Sequence, residues 1–390
     1  MKNKITFVLP SRNNLEFLQL AYKSIRNLKT KHEILVLNDA STDGTEEWIK
    51  SVNDEDLLVY TNPGPERIGI VGMFDKGIEM ARTEIIMAFH ADMVAGPNLD
   101  TNILKHLKPQ TVVSATRIEP PLHPPGPEKI TQDWGDEVVD FKFEETMNNI
   151  EYYETQNKDK TTEGIFAPWC MYKEDFLTIG GHDELFAPQS KEDSDLFNRF
   201  VLNGYKVIQS WDALVYHFTS RGSRFNKHAG GAAGKNSDEW LYTTTKNGRN
   251  FIRKWGHFIK HDQFMKPIIP PKYNIEIRLF NSNINLLHAL EPWADNIYTD
   301  LSQEEIDKYI SNEQPNTIIS LKDKINQTVN SDIEVRIDGR LFNQTDFQIL
   351  QQLPEIIKDS GEIGEFELGN IKITINKIKE YQNNLIKNIS

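Results

Sequence analysis

The chain has 390 residues, 38 % of them hydrophobic and 26 % charged, with a formal net charge of −13. That length allows two or three globular domains, and the acidic balance excludes broad binding to nucleic acid or anionic membranes, which need a basic face for phosphate. The single cysteine, Cys170, excludes an internal disulfide and a cysteine-built zinc site, as expected in a reducing compartment.

No stretch reads as a transmembrane segment. The start, Met1-Lys2-Asn3-Lys4 followed by Ile5-Thr6-Phe7-Val8-Leu9, lacks the core and cleavage site of a signal peptide, so a cytoplasmic location is expected. Ile5 to Leu9 predicts a buried strand, left through the turn Pro10-Ser11-Arg12-Asn13-Asn14. From Leu15 to Leu28 the residues Leu15, Leu18, Ala21, Tyr22 and Ile25 recur at helical spacing, which predicts an amphipathic helix. Glu33 to Leu37 is the next strand, and strand, helix, strand implies a right-handed parallel unit. In the polar loop that follows, Asp39 can accept a hydrogen bond from the imide of a uracil-type base, and Asp43 can cap the next helix. Plain cap and turn chemistry explains the same loop equally well. Val59-Tyr60 predicts a third strand, and a helix is expected from Gly69 to Met80.

The apolar run Ile85 to Phe89 then ends in His90-Ala91-Asp92. Ligands of open α/β sheets gather at the carboxyl ends of strands. Asp92 offers a hard oxygen ligand for a divalent cation, and His90, two residues away on the same side of an extended chain, can join it or bond a sugar hydroxyl. Taken alone, His-x-Asp is also an ordinary surface turn. Three polar clusters, Pro10 to Asn13, Asn38 to Asp43 and His90 to Asp92, nevertheless each follow an apolar strand, so one crevice can hold them all.

Residues 118–164 form an insertion with Pro120-Pro121 and Pro124-Pro125-Gly126-Pro127, expected as a stiff extended loop. Within it Trp134, flanked by acids, is either a sugar-stacking platform on the acceptor side or a core anchor, and Trp169 carries the same ambiguity. Ser190-Lys191-Glu192-Asp193, ahead of a helix, fits a capping box. Beyond it, Arg221, Arg224 and Lys227 flank Ala229 to Lys235, a small-residue stretch that reads as a mobile lid over a diphosphate or as a surface loop. Pro267 and Pro270-Pro271 mark a linker to an Asn- and Ile-rich portion, residues 272–390. Its expected strands are Ile275 to Phe280, Ile333 to Ile337 and Ile371 to Ile375, with a helix near Thr345 to Lys358. A small α+β module for acceptor binding, oligomerisation or docking fits it.

Leu9-Pro10-Ser11-Arg12-Asn13, Leu37-Asn38-Asp39-Ala40-Ser41-Thr42-Asp43-Gly44-Thr45 and Phe89-His90-Ala91-Asp92 resemble three signatures of family 2 glycosyltransferases of the GT-A fold. Thr178-Ile179-Gly180-Gly181-His182-Asp183-Glu184 is similar to the family's Gly-Gly-Phe-Asp-Glu turn. Glu192-Asp193-Ser194-Asp195-Leu196 with Arg199 resembles its Glu-Asp catalytic motif, and Val215-Tyr216-His217 its late strand ending in histidine. The resemblance covers roughly residues 1–260. It implies an α/β GT-A domain over 1–225, a mostly parallel Rossmann-like sheet with flanking helices, then a lid and helical extension over 226–268. It further implies an inverting, metal-dependent enzyme using Mn²⁺ or Mg²⁺ and a nucleotide-sugar donor, with a carbohydrate, lipid-linked or protein acceptor. Carried over residue by residue, Pro10, Ser11, Arg12, Asp39, Arg67, His90, Ala91 and Asp92 form the donor site. Asp92 and His217, with His90, hold the metal, Arg221 and Arg224 serve the diphosphate, and Asp193 with Glu192 is the catalytic pair. An Asp at 39 suits uracil, so a UDP-sugar is the expected donor.

Two positions depart from the family pattern: His90 stands where Asp-x-Asp has its first Asp, and Asn38 replaces an acid. Histidine still bonds ribose or binds a cation such as Mn²⁺. A rival reading is a non-catalytic nucleotide-sugar or glycan-binding protein that kept the fold. A nucleotidyltransferase, the other rival, normally wants a Gly-rich loop after the first strand, and Pro10-Ser11-Arg12-Asn13 has no glycine.

Overall fold

The computed structural model describes residues 4–327 and 330–386. Ten strands form one sheet, the central ones from buried apolar runs: Ile5–Ser11 (β1), Glu33–Asp39 (β2), Leu57–Asn62 (β3), Ile85–Ala88 (β4), Met93–Ala95 (β5), Thr111–Glu119 (β6), Ile130–Thr131 (β7), Thr161–Thr162 (β8), Trp169–Tyr172 (β9) and Lys206–His217 (β10). The order is β3-β2-β1-β4-β9-β6-β10-β5, with β7 beside β6 and β8 beside β10. β9 runs antiparallel to both neighbours, and β5 and β8 run antiparallel to β10; every other pairing is parallel. The carboxyl ends of β1, β2, β3, β4, β6 and β10 therefore lie along one edge. This is the mostly parallel α/β sheet expected from the sequence.

The helices are Leu15–Arg26 (α1), Thr45–Ser51 (α2), Gly69–Met80 (α3), Leu99–Leu104 (α4), Phe143–Gln156 (α5), Lys173–Thr178 (α6), Glu192–Leu202 (α7) and Asp238–Trp255 (α8). α1 buries Leu18, Ala21 and Ile25 of the predicted stripe together with Phe17, while Leu15 and Tyr22 are half-buried. Its cap comes from elsewhere in the chain. Asp43, expected to cap the next helix, accepts from Leu15 N at 2.9 Å as well as from the Thr45 hydroxyl at 2.6 Å, so one carboxylate ties the starts of α1 and α2 together.

The insertion is more ordered than its prolines imply. Phe143, Met147, Ile150 and Glu154 recur at helical spacing on α5, a pattern present in the sequence but masked by the Pro-rich stretch before it.

By packing, the chain divides inside α8: residues up to Thr244 with His261–Ile268 form one unit, and Thr245–Lys260 with Ile269 onward form the other. The second unit has a five-stranded sheet of order β12-β11-β13-β15-β14, from Ile275–Phe280 (β11), Asn296–Thr299 (β12), Ile333–Asp338 (β13), Gly364–Leu368 (β14) and Ile371–Ile375 (β15). The helices Ile284–Leu290 (α9), Gln303–Glu313 (α10) and Gln344–Ser360 (α11) complete it. Ser302 and Asn343 form capping boxes on α10 and α11. Within this unit Arg253 of α8 meets the fully buried Glu291 and also Glu313, which is why the second half of α8 belongs here. Among the described residues no helix is long and apolar enough to cross a membrane.

Candidate active site

Successive carboxyl ends of the parallel strands deliver Ser11 (β1), Asp39 (β2), His90 and Asp92 (after β4), Glu119 (β6) and His217 (β10) to one edge. Chain direction alone produces this convergence, which is where ligands of α/β sheets bind.

Asp92 and His217 are both buried, and His217 Nε2 lies 3.7 Å from Asp92 Oδ1. The other ring nitrogen, Nδ1, is 2.7 Å from Glu119 Oε1. Glu119 is in turn paired with Arg117 at 3.0 Å and Lys129 at 2.9 Å. Burial opposes a charge on His217, but the carboxylates of Asp92 and Glu119 outweigh it and push the imidazole up to about 9. Burial likewise opposes charge on Asp92; His217, His90 and the Arg221 N–H overcome it and hold the carboxyl below the usual range. Oδ2 of Asp92 accepts from Arg221 N at 2.6 Å, which anchors the turn after β10 to the same corner. Glu119 was not anticipated from the sequence. The signal was available, since an acid ends an apolar strand there as Asp92 follows one.

This donor set fits a divalent cation that displaces the His217 proton. Asp92 would offer one oxygen and the deprotonated His217 one nitrogen, with Glu119 fixing the imidazole from behind, as carboxylates commonly do for metal-bound histidines. Two protein ligands leave room for water and phosphate oxygens, the usual arrangement for cations that serve nucleotides. Among the described residues no group of three or more His, Cys, Asp or Glu side chains is placed to hold a metal ion.

His90 packs tilted against Phe74 with centroids 5.7 Å apart, and burial lowers its pKa against the pull of the Asp92 and Asp193 charges. A neutral imidazole is the form that ligates or accepts. Phe74 also stacks on His182, whose Nδ1 is 2.6 Å from Asp75 Oδ1.

Asp193 and Glu192 open α7. Its N-cap is Lys191, with φ 77°, and no side chain caps the helix, so the capping box expected from Ser190 to Asp193 is not formed. Ser190 also has φ 77°, and its hydroxyl instead bonds Thr244 at 3.0 Å. Two consecutive non-glycine residues in the left-handed region carry a backbone cost of about 1–3 kcal/mol each, a feature that clusters at functional sites. Burial, reinforced by the Asp193 charge, pushes the Glu192 carboxyl well above the glutamate range.

The remaining sequence-predicted residues divide into two sets. Asp39 is engaged within the fold, accepting from Asn62 Nδ2 at 2.7 Å, Ile68 N at 2.8 Å and Gly69 N at 2.8 Å. Arg12 and Arg67 both face Glu239 of α8, Arg12 at 3.6 Å, and burial lowers the Arg67 guanidinium against the pull of Glu239. Pro10 continues β1 beside Leu37, and Ala91 is buried in the core. Arg221 is buried and paired with Asp136 and Glu137 of the insertion, while Arg224 bonds Asn236 at 2.5 Å and lies over the Trp240 ring. Trp134 stacks on Tyr216 at 5.6 Å and anchors its loop. Trp169 corrects an expectation: it starts β9, is 1 % exposed, and packs on Phe176 and Phe200, so it presents no face to an acceptor.

Several buried side-chain atoms around this edge lack hydrogen-bond partners: Ser11 Oγ, Arg12 Nε, Arg67 Nη2, Glu192 Oε2, Asn14 Nδ2 and Arg221 Nε. Buried polar groups are ordinarily satisfied, so such a concentration marks a ligand site.

Residues 6–177 match the family model described as glycosyl transferase family 2, and residues 162–226 match one described as chondroitin N-acetylgalactosaminyltransferase. The poly-beta-1,6-N-acetyl-D-glucosamine synthase of Staphylococcus aureus is 26 % identical over 105 residues, 27 % of this chain. The alignment spans 25 % of that relative's length. Among solved structures, the mannosyltransferase PcManGT from Pyrobaculum calidifontis, in complex with GDP-Man and Mn²⁺, has a TM-score of 0.38 at 18 % identity, covering 55 % of this chain and 56 % of that one. GalNAc-T7 with UDP, GalNAc and Mn²⁺ has a TM-score of 0.45 at 12 % identity, covering 65 % and 50 %. The sheet is mostly parallel, and the match to the family 2 model takes in β2 to β9 of it. The similarity to glycosyl transferase family 2 thus lies in residues 6–177 of the 390.

Proposed function

We propose that this enzyme moves a sugar from a nucleotide-diphosphate donor, a UDP-sugar in the first instance, to an acceptor hydroxyl with inversion at the anomeric carbon. The observation that carries the reading is the Asp92–His217 pair oriented by Glu119 at the carboxyl edge of the sheet. Asp92 and His217 would hold a divalent cation, which would supply positive charge for the leaving diphosphate. Arg12 and Arg67 bind the phosphates, and Ser11 and His90 the sugar or nucleotide hydroxyls. Asp193 takes the proton of the acceptor hydroxyl as its oxygen attacks, while Glu192, held protonated by burial, bonds a hydroxyl as donor.

Calorimetric titration of the full chain with UDP, GDP, CDP and dTDP, each with Mn²⁺, Mg²⁺ or chelator, tests the reading. Binding of one nucleotide only in the presence of metal is expected. No binding under any condition would refute it and favour the non-catalytic glycan-binding alternative.

A further inference from the structure

The segment from Arg221 to Thr244 crosses the nucleotide edge and is fastened there at three points. Arg221 N and Gly222 N bond Asp92 at 2.6 and 3.4 Å, Glu239 pairs with both Arg12 and Arg67, and Thr244 bonds Ser190 just ahead of the catalytic pair. The segment is folded rather than an open loop: Ser237 N bonds Arg224 O at 2.7 Å, and Ala232 bridges Lys235. Beneath it remains a cavity of about 90 Å³ lined by Arg12, Arg67, Gln189, Ser223 and Glu239 among others. Small-ligand sites usually offer roughly 300–1,000 Å³, so this cavity alone is too small for a nucleoside diphosphate while the segment is fastened. The space beside it, about 390 Å³ lined by Asn13, Asp43, Arg221 and Lys227 among others, has none of Arg12, Arg67 and Glu239 in its lining.

Within the cavity one carboxylate faces two guanidiniums. Glu239 supplies two oxygens, yet Arg12 Nε and Arg67 Nη2 remain buried without partners. A diphosphate carries more acceptor oxygens and more charge, and it satisfies a double-arginine site that a single carboxylate only partly fills.

We infer that Glu239 is a resident counter-anion: it occupies the phosphate subsite of Arg12 and Arg67, and its exchange for the donor's diphosphate releases residues 221–244 from the closed position. This inference rests on the nucleotide-donor reading above. With the carboxylate in place, only the fraction of molecules that has opened binds donor, and the apparent affinity falls by that fraction. The exchange also makes release of the strap conditional on an anionic ligand. A nucleoside, which brings no phosphate, has no means of displacing Glu239.

The test is calorimetric titration of the full-length wild type, Glu239→Gln and Glu239→Ala with UDP, GDP and uridine in Mn²⁺, with melting curves to establish folding. Amide hydrogen exchange over residues 225–244 is followed alongside. Both variants are expected to bind the diphosphate about ten-fold or more tightly than wild type, in line with the coupling of close charge pairs. Uridine binding should change less, and exchange in the strap should rise in the absence of nucleotide. Unchanged or weaker diphosphate binding by folded variants, with wild type still binding, overturns the counter-anion and leaves the donor site standing. If no chain binds any nucleotide, the donor reading fails and the inference falls with it.

Discussion

His217 Nδ1 lies 2.7 Å from Glu119 Oε1 while its Nε2 faces Asp92 Oδ1 at 3.7 Å, so one imidazole bridges a carboxylate that orients it and a carboxylate that can share a ligand with it. Glu119→Gln keeps the size of the side chain and removes the charge. Metal affinity in the nucleotide complex is expected to fall ~10–100-fold, the usual effect of losing such a supporting carboxylate. Arg117 and Lys129 also lose their partner, and breaking a buried charge pair costs about 3–5 kcal/mol of stability. Titrating Mn²⁺ in the presence of nucleotide, at a temperature where the variant is folded, checks the first effect. Unaltered metal affinity would mean that Glu119 serves only to neutralise Arg117 and Lys129.

Asp193 opens α7 behind two left-handed residues and next to a protonated Glu192. As Asp193 caps nothing, Asp193→Asn should leave the melting temperature and nucleotide affinity close to wild type. Transfer should fall ~10²–10⁴-fold, the contribution typical of a general base. A rapid assay of nucleotide release with a panel of acceptors measures this, and an active Asp193→Asn enzyme would remove Asp193 from the chemistry.

Asp39 makes a different kind of prediction because its carboxylate already accepts from Asn62, Ile68 and Gly69. It organises the loop that presents Arg67, and Gly69 closes that loop with φ 87°, so near Pro188 that an added Cβ would lie 2.4 Å from the Pro188 carbonyl oxygen. Asp39→Ala removes the acceptor of three donors, two of them buried, and should cost at least ~2–3 kcal/mol, about the penalty of one or two unpaired groups. Urea unfolding reads this directly. If Asp39→Ala unfolds like wild type yet no longer prefers UDP over GDP, Asp39 acts on the base rather than on the loop.

Particular residues explain what the sequence made legible. Ile5 to Leu9, Glu33 to Leu37 and Ile85 to Phe89 are apolar runs of strand length, and burial on both faces of a parallel sheet demands that composition. Their polar followers could therefore be assigned to one edge. The strands Ile275–Phe280 and Ile371–Ile375 were equally legible because their alternation marks a sheet buried on one face. The weak likeness between Ile275-Glu276-Ile277-Arg278 and Ile333-Glu334-Val335-Arg336 has a structural basis: the strands are parallel neighbours with Glu276 opposite Glu334 and Arg278 opposite Arg336. Partnerships between distant residues were not legible. No spacing rule links Glu239 to Arg12, or Glu119 to His217, since each pair is joined only by the fold. Trp169 was misjudged for the same reason. Its sequence neighbours say nothing of Phe176 and Phe200 closing over it.

A final prediction concerns Glu154 on α5, away from the nucleotide edge. Burial, with smaller contributions from Glu151 and Asp212, pushes its carboxyl up to about 7, even though Asn98 donates to it at 2.7 and 3.2 Å. The folded chain thus holds this proton more tightly than the unfolded chain, whose glutamate titrates near 4.5. The stabilising contribution of the protonated form is complete below about pH 4.5 and is lost as pH rises through about 7. The loss amounts to at most about 3 kcal/mol, from ~1.4 kcal/mol for each pH unit separating the two states. Glu154→Gln keeps an oxygen for Asn98 and has no proton to lose. Urea unfolding at intervals from pH 4.5 to 8 should therefore fall more steeply for wild type than for the variant, with the curves furthest apart at the alkaline end. Parallel curves would place the Glu154 carboxyl in its ordinary range, with the Asn98 hydrogen bonds outweighing its burial.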